Sequence, residues 1–384
     1  MSHRNLKLLL SARDPGSANN MIHVAKTALD TDKFEIIFYA DEPAYSMVHG
    51  EGLQVEKFHA EMVLSKDDAG VQELHNEAIQ IIKKVQPDVV VAGISGPGAG
   101  IDEALLVNSQ GIPSYAIQDF RGRVNNLLGE NKATYFVIDD EAALLSYKHH
   151  KVKTIVTGLP KYAEYKKVDS VSVRNRLRNA LCHKPDDRII TFIGQDHWHM
   201  EGYHKTLRKF AEAILHLNSS VSVYYRKHPK EPEDCMSQVC EIMSSVSVNC
   251  QAASEFTTEE WLVVSDIVCC VCSTTGVDQI MLNRLSKTPL GVVVYLFYEE
   301  DIINWYEDLL GKGFSSPARQ GTAFCVEEPE QILHVLQKSL LLDTQQEQWL
   351  RIQESIPMPD LISTNILNIM HSSASDKVFS VSRI

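Results

Sequence analysis

The feature that most constrains the fold is a recurring unit: a short, continuous run of aliphatic residues, then a loop, then a helical pattern. In the first half the runs are LKLLLSA (6–12), FEIIFYA (34–40), PDVVVAGIS (87–95), IPSYAIQDF (112–120), TYFVIDD (134–140) and KTIVTGLP (153–160). Continuous Val, Ile and Leu runs are typical of strands covered on both faces, and strands that alternate with helices form right-handed parallel crossovers. The first half therefore predicts a doubly wound α/β domain.

The same pattern starts again after the polar, basic stretch at 161–186. Its runs are DRIITFIGQ (187–195), SVSVYYRKHPKEPED (220–234), LVVSDIVCCVC (262–272), TPLGVVVYLF (288–297) and GTAFCV (321–326), each taken as holding one strand. The chain has 384 residues, which suits two domains better than one core. We expect α/β architecture with two Rossmann-like, doubly wound parallel-sheet domains, 1–165 and 166–345, facing across a cleft, followed by a C-terminal helix and polar tail at 346–384.

Net charge and cysteine usage exclude several classes of protein. The formal net charge is −13, so nucleic acid polymers and anionic lipid are poor partners. The start of the chain, MSHRNLKLLLSARDPG, carries an apolar stretch far shorter than a membrane span or a signal-peptide core, and we expect a cytoplasmic protein. The eight cysteines lack zinc-finger spacing, so we expect them in the core and expect no metal site.

The run that ends in Cys272 is followed by Ser273, Thr274, Thr275 and Gly276, and then by a helical pattern. Three hydroxyls together with the unpaired N–H groups of a helix start form an anion site, and phosphate is the expected anion. A simple helix N-cap, with Asp278 complementing the helix dipole, is the alternative.

A second strand-end turn is strongly basic within an otherwise acidic chain. It places Arg226, Lys227, His228 and Lys230 within five residues around a proline. Such donors neutralise a diphosphate, and histidine donates a hydrogen bond at neutral pH. The alternative is a solvated charged turn.

The first domain offers candidate acids and glycine-rich turns at its strand ends. Asp14 is a possible general base or sugar-hydroxyl acceptor, and Asp119 competes for the role of base. Each of these acids has a helix cap or an Asx-turn as its ordinary explanation. The remaining candidates in these loops are Gly16, Ser17, Asn19, Gly96 and Gly98. Neither loop matches a dinucleotide fingerprint or a P-loop.

The loop GQDHWHMEGYH (194–204) opens the second domain. We expect it to contact donor or acceptor, with Gln195 near the phosphates and His197 in the part of the loop that lines the cleft. A metal at His197 and His199 would need a third ligand that the sequence does not supply.

The order of these signals resembles the GT-B glycosyltransferase group. A strand-end R-K-H-P followed, about forty residues later, by strand-S-T-T-G-x-D-helix is similar to the HP and ST motifs of bacterial sialyltransferases, CDP-glycerol glycerophosphotransferases and UDP-N-acetylglucosamine 2-epimerases. The resemblance implies that His228, Ser273 and Thr274 hold the donor phosphates and that Asp278 binds ribose or sugar hydroxyls. The chain departs from the group in its first domain, where the acidic motif of the sialyltransferases and the arginine-rich loop of the epimerases are missing from the sequence.

The resulting hypothesis is a metal-independent enzyme, without a cofactor, that transfers a sugar or polyol phosphate from a nucleotide-activated donor to an acceptor hydroxyl. The first domain is then the acceptor side and the second the donor side. A nucleotide-sugar 2-epimerase or hydrolase on the same scaffold is one alternative, and a non-catalytic nucleotide-sugar-binding protein is another. The sequence leaves the nucleotide, sugar, acceptor and oligomeric state open.

Overall fold

The structure is a computed structural model that describes residues 4–94, 98–119, 124–130, 132–137, 152–184, 186–217, 220–310, 318, 321–356 and 358–381. Contacts divide the chain into two compact units. The first unit comprises Met1–Glu164 together with Pro357–Ile384, and the second comprises Tyr165–Ile356.

Within the described residues, the first unit is built on a seven-stranded parallel sheet in the order β3-β2-β1-β4-β5-β6-β7. Its strands are β1 Leu6–Ala12, β2 Phe34–Ala40, β3 Glu56–Lys57, β4 Val89–Ile94, β5 Ser114–Gln118, β6 Thr134–Val137 and β7 Lys153–Val156. Its helices are α1 Pro15–Leu29, α2 Ala44–Gly50, α3 Val71–Val85 and α4 Ile101–Asn108, and the 3₁₀ helix Pro160–Lys167 leads into the second unit.

The helices of the first unit cover the sheet with one apolar face. In α3 the buried residues Leu74, Ala78, Ile81 and Val85 recur every three or four positions, which places them on one side of the helix. All six residues of β4 are buried, as a central strand covered on both faces requires.

The end of the chain returns to the first unit. After the 3₁₀ turn Pro359–Leu361, helix α13 (Ile362–Val381) packs against α1, and the His371 ring lies edge-on to Phe34 with ring centroids 6.1 Å apart. The stretch expected as one terminal segment, 346–384, is thus shared, because residues up to Ile356 pack in the second unit. Helix α13 reaches Val381, so it occupies much of the stretch in which the sequence predicted a polar tail.

Within the described residues, the second unit is built on a six-stranded parallel sheet in the order β10-β9-β8-β11-β12-β13. Its strands are β8 Arg188–Ile193, β9 Val221–Arg226, β10 Cys250–Ala252, β11 Ile267–Cys270, β12 Val292–Leu296 and β13 Phe324–Val326. Its helices are α5 Ser170–Ala180, α6 Glu201–Leu215, α7 Cys235–Ser244, α8 Thr258–Val264, α9 Thr275–Leu285, α10 Glu300–Leu310, α11 Ile332–Ser339 and α12 Leu342–Ser355, with a 3₁₀ turn at Pro329–Gln331.

The apolar run 262–272 holds one strand, as expected, but only part of the run forms it. Its first residues finish α8, whose start is fixed because Thr257 and Glu260 exchange side-chain to backbone hydrogen bonds of 3.3 and 3.0 Å. The strand proper begins after Asp266, a buried carboxylate that accepts from the Ile189 backbone N–H at 2.8 Å. The run therefore holds a helix end, a polar link and a strand of four residues.

The predicted fold class, two α/β units with parallel sheets, is confirmed. The short edge strands β3 and β10 were not predicted, because two or three residues carry no periodicity. Among the described helices, none combines the length and apolarity that crossing a membrane requires.

Candidate functional site

The two turns singled out by the sequence lie at one edge of the second sheet. Strands β9 and β11 flank β8 and run parallel to it, so all three end at the same edge. Neighbouring strands lie about 4.8 Å apart, which sets the basic turn after β9 and the hydroxyl-rich turn after β11 about 10 Å apart. A ligand between them would rest on Gly194 and Gln195, at the end of β8.

His228 presents a defined hydrogen-bond donor. Its Nδ1 accepts the backbone N–H of Lys230 at 3.1 Å. Burial lowers the pKa of His228, so the ring is neutral at pH 7 and its single proton lies on Nε2. The side chain is half-buried, and the neighbouring Lys227 and Lys230 are exposed. The turn thus offers one oriented N–H and two exposed positive charges.

The Ser273–Gly276 turn combines a local bond with a tight approach. The Thr275 backbone N–H donates to Ser273 Oγ at 3.2 Å, while Thr274, the N-cap position of α9, is exposed and its side chain does not cap the helix. A Cβ added at Gly276 would stand 2.3 Å from the hydroxyl oxygen of Tyr295. Glycine is therefore required here for packing, independently of any ligand.

Two of the predicted donor contacts have structural tasks. Nη1 of Arg226 donates to the carbonyls of Ala253 and Phe256 at 2.5 and 2.9 Å, so this guanidinium holds the loop that precedes α8. Asp278, in the first turn of α9, is hydrogen-bonded to the Tyr165 side chain. Their contacts with a nucleotide remain predictions.

Gln195 ties the end of β8 to the end of β11. Its Oε1 accepts the backbone N–H groups of Val271 and Cys272, both at 2.9 Å, and its Nε2 lies 3.4 Å from His197 Nε2 and from Cys272 Sγ. Burial lowers the pKa of His197 to about 4 and raises that of Cys272 to about 12, so both side chains are neutral at pH 7. Gln195 is thus a cross-link between loops.

In the first unit the candidate acids gather around the start of α1. Asp14 is the N-cap of α1, and its backbone N–H donates to Ser17 Oγ at 3.2 Å. A Cβ added at Gly16 would stand 1.6 Å from Asp119 Oδ2, which places the Asp119 carboxylate directly over the first turn of α1. Because helix starts attract anions, Asp119 serves as a negative partner for α1. Asp14 is 39% exposed, and Asn19 is exposed as well.

Sequence reasoning missed a buried cluster at the same edge. Asp102 and Glu103 open α4 and are 0% and 2% exposed, beside Arg13, which is 5% exposed. Arg13 Nη2 and the Gly100 backbone N–H donate to Glu103 at 3.4 and 2.9 Å. Asp102 accepts the Ser11 hydroxyl at 2.6 Å. Burial, and then Glu103 beside it, raises the pKa of Asp102 well above its usual range.

The signal for this cluster was the pair of acids that follows the glycine-rich turn, which the sequence alone presents as ordinary first-turn helix residues. Gly98, in that turn, has φ +77°, and its carbonyl accepts from Arg13 at 3.3 Å. Gly96 lies outside the described residues. All eight cysteines are free, and no group of three or more potential metal ligands occurs in the part of the chain that the structure describes.

No protein-family model and no curated protein sequence matches the chain. Solved structures do match over nearly the whole chain. A glycosyltransferase from Rickettsia africae has TM-score 0.66 at 12% identity, covering 96% of this chain and 99% of its own. A putative UDP-N-acetylglucosamine 2-epimerase from Listeria monocytogenes has TM-score 0.68 at 11% identity, covering 97% and 98%.

A third match is a UDP-GlcNAc 2-epimerase from Neisseria meningitidis, whose structure is bound to UDP-GlcNAc. It has TM-score 0.62 at 15% identity, covering 94% of this chain and 99% of its own. At identities this low, the structural similarity establishes the fold alone, and the chemistry must be argued from the residues of the site. The chain therefore has the GT-B fold that its sequence motifs predicted.

Proposed function

We propose that the protein is a GT-B-type glycosyltransferase that moves a sugar from a nucleotide-activated donor to an acceptor hydroxyl. The observation that carries the proposal is the position of the basic turn and the hydroxyl-rich turn on the two strands that flank β8. Similarity in fold to a glycosyltransferase and to an epimerase bound to UDP-GlcNAc supports a nucleotide-sugar ligand. Transfer of a polyol phosphate, in place of a sugar, from a nucleotide-activated donor to the acceptor hydroxyl is the other form of this proposal.

The donor phosphates are proposed to bind to His228 Nε2–H, Lys227 and the hydroxyls and N–H groups of Ser273, Thr274 and Thr275. These groups stabilise the negative charge that develops on the leaving nucleotide, where preorganised donors contribute most to catalysis. Arg226 and Gln195 act in the proposal by holding the loops, and Asp278 is kept as the ribose contact.

The first unit supplies the proposed base. We prefer Asp14 to Asp119 as the base, because Asp14 is more accessible and Asp119 already lies over the start of α1. A partly exposed carboxylate can be reached by the acceptor and takes the proton of its hydroxyl as that hydroxyl attacks. The proposal includes neither a metal nor an organic cofactor, and we expect turnover to persist in EDTA.

The experiment starts with ligand binding. A thermal-shift screen with UDP, CMP, CDP and GDP identifies the nucleotide, since a ligand that binds only the folded state raises its melting temperature. Calorimetry then compares His228→Ala with His216→Ala, the same substitution at an exposed histidine just after α6. We expect only the first variant to lose affinity. Equal affinity in both variants would remove His228 from the donor site.

A 2-epimerase or hydrolase is the second candidate, and one observation favours it. Asp102 is fully buried beside Arg13, and burial raises its pKa well above its usual range, which favours the protonated carboxyl. Such a group is suited to general acid catalysis on a bound sugar. The test is to incubate the protein with a nucleotide sugar and no acceptor and to follow the sugar by proton NMR. If the sugar is isomerised or hydrolysed, the epimerase or hydrolase replaces the transferase as the proposed function.

A non-catalytic binding protein is separated from both enzymes by the same assays. It would bind the nucleotide sugar in calorimetry and leave it chemically unchanged with every acceptor.

A further inference from the structure

A buried hydrogen-bond network underlies the edge at which the basic turn and the hydroxyl-rich turn lie. Its centre is Glu231, which follows His228 by three residues and is 5% exposed. Oε2 of Glu231 accepts the backbone N–H of His228 at 2.7 Å. Oε1 accepts the Tyr225 hydroxyl at 2.5 Å and the Tyr203 hydroxyl at 3.3 Å. A single carboxylate thus receives donors from a strand, a helix and the basic turn.

The partners of Glu231 suit an ionised carboxylate. The His228 backbone N–H can only donate, so Oε2 accepts, and the two tyrosine hydroxyls lie where they donate to Oε1. Burial raises the pKa of Glu231, and the hydrogen bond from Tyr225 lowers it. A buried carboxylate of this kind is stable only where every oxygen has partners.

The network continues to the third turn. The Gln195 backbone N–H donates to the Tyr203 hydroxyl at 3.1 Å, and the Tyr203 and Tyr225 hydroxyl oxygens are 2.9 Å apart. Gln195 in turn holds the backbone of Val271 and Cys272, which leads directly into Ser273. Hydrogen bonds therefore connect the ends of β8, β9 and β11 without a gap.

The backbone leaves room for this carboxylate at one position. A Cβ added at Gly194 would lie 2.5 Å from Glu231 Oε2 and 2.7 Å from the Tyr225 hydroxyl oxygen. Glycine at the end of β8 therefore lets the network pass directly over the strand.

We propose that Glu231 is a positioning residue for His228, and that with Tyr203, Tyr225 and Gln195 it locks the three strand-end turns into one rigid diphosphate-binding edge. This inference rests on the proposed function for the identity of the ligand. Glu231 acts through His228: by fixing the backbone of the turn it keeps the Lys230 N–H aimed at Nδ1, which leaves the proton on Nε2 for the phosphate. A preorganised donor loses little entropy on binding, which is where the gain in affinity arises.

The experiment compares Glu231→Gln with Glu233→Gln in the full-length protein. Glu233 is an exposed glutamate of the same turn, so the control removes the same charge two residues away. A glutamine at 231 has one acceptor oxygen where the carboxylate has two, so its NH₂ either faces the His228 N–H, donor against donor, or forces the tyrosine hydroxyls to turn and accept. Two readouts are taken: UDP affinity by calorimetry, and the ¹⁵N shifts of the His228 ring, assigned as the signals that His228→Ala removes.

We expect Glu231→Gln to lower UDP affinity about tenfold or more, the value of one charge-assisted hydrogen bond. We also expect its His228 ring to change from the Nε2–H tautomer to a mixture, while Glu233→Gln leaves both readouts as in the wild type. An unchanged His228 tautomer in Glu231→Gln would overturn the inference, whatever happens to affinity.

The tautomer readout needs no ligand, so it separates this inference from the proposed function. If UDP and the other nucleotides fail to bind the wild type, the donor assignment is lost and the ring shifts alone decide the role of Glu231. If Glu231→Gln does not fold, Tyr225→Phe replaces it, since that variant removes the shortest donor to the carboxylate; an unchanged His228 ring there would equally overturn the inference.

Discussion

The strand-end edges of the two units have the same architecture and opposite chemistry. In the first unit the edge carries Asp14, Asp119, Asp102 and Glu103 around the buried Arg13. In the second unit the equivalent edge carries hydroxyls, backbone N–H groups and the Nε2–H of His228. The buried carboxylate of Glu231 accepts hydrogen bonds from the Tyr225 hydroxyl and the His228 backbone N–H. In the proposed function, the fold supplies the same edge in both units, and the side chains of the loops suit one edge to proton transfer and the other to anion binding.

The chain contains a built-in reporter for testing this contrast. All four tryptophans, Trp198, Trp261, Trp305 and Trp349, belong to the second unit. Tryptophan fluorescence therefore follows the second unit in the intact protein. Circular dichroism follows both units, so any transition that fluorescence does not show belongs to the first.

The largest expected effect is on turnover. Asp14→Asn removes the proposed base and should lower kcat by about 100-fold or more. UDP affinity should remain as in the wild type, because the donor groups belong to the second unit. Steady-state kinetics with calorimetry checks both. A normal kcat in Asp14→Asn would show that Asp14 is not the base. Asp119→Asn would then test the second candidate.

Gly276→Ala should destabilise the second unit by about 2 kcal/mol, because the buried Tyr295 cannot withdraw from the new methyl group. Gly16→Ala is the matched variant in the first unit. It should cost about 1 kcal/mol or less, since the half-buried Asp119 side chain can rotate away. In denaturant unfolding, tryptophan fluorescence measures the shift of Gly276→Ala, and the dichroism transition that fluorescence does not show measures the smaller shift of Gly16→Ala. Equal shifts for the two variants would show that Tyr295 also has room to move.

Arg226→Lys distinguishes a loop-holding guanidinium from a phosphate contact. Lysine cannot reproduce the two bonds from Nη1 to Ala253 and Phe256, so we expect a loss of about 1 to 2 kcal/mol in the fluorescence-detected unfolding. UDP affinity should change little. For Lys227→Ala we expect the reverse, with weaker UDP binding and unchanged stability. If calorimetry shows that Arg226→Lys binds UDP more weakly than Lys227→Ala does, Arg226 would again be assigned to the groups that bind the phosphates.

The smallest expected effect concerns Asp102. Its folded pKa is raised, so its contribution to stability is fully present below about pH 4, the unfolded value, and is lost as pH rises through the folded pKa. Asp102→Asn cannot lose a proton, so relative to the wild type it should gain stability as the pH rises from about 4 to about 8. The dichroism transition that fluorescence does not follow measures this gain. A constant difference between the two proteins across that range would mean that the pKa of Asp102 is not raised.

The sequence predicts the fold well because buried parallel strands are written as continuous apolar runs. It predicts less well where one run serves two elements, as at Leu262–Cys272, since apolar content alone does not distinguish a helix end from a strand. The position of the basic and hydroxyl-rich turns at one edge follows from parallel strands. The partners of Glu231 and Asp102 do not, because Tyr203, Tyr225 and Ser11 are apolar-run or helix residues whose hydroxyls meet these acids only after folding.

Helix α13 has a consequence for the order in which the protein forms. The first unit begins the chain and also ends it, because Pro357–Ile384 belongs to it, whereas the second unit is one uninterrupted segment. During synthesis on the ribosome the second unit can be complete while the first still awaits the helix that covers α1 and Phe34. The amino-terminal unit is thus the last to close, and a premature stop after Ile356 would leave its apolar surface uncovered.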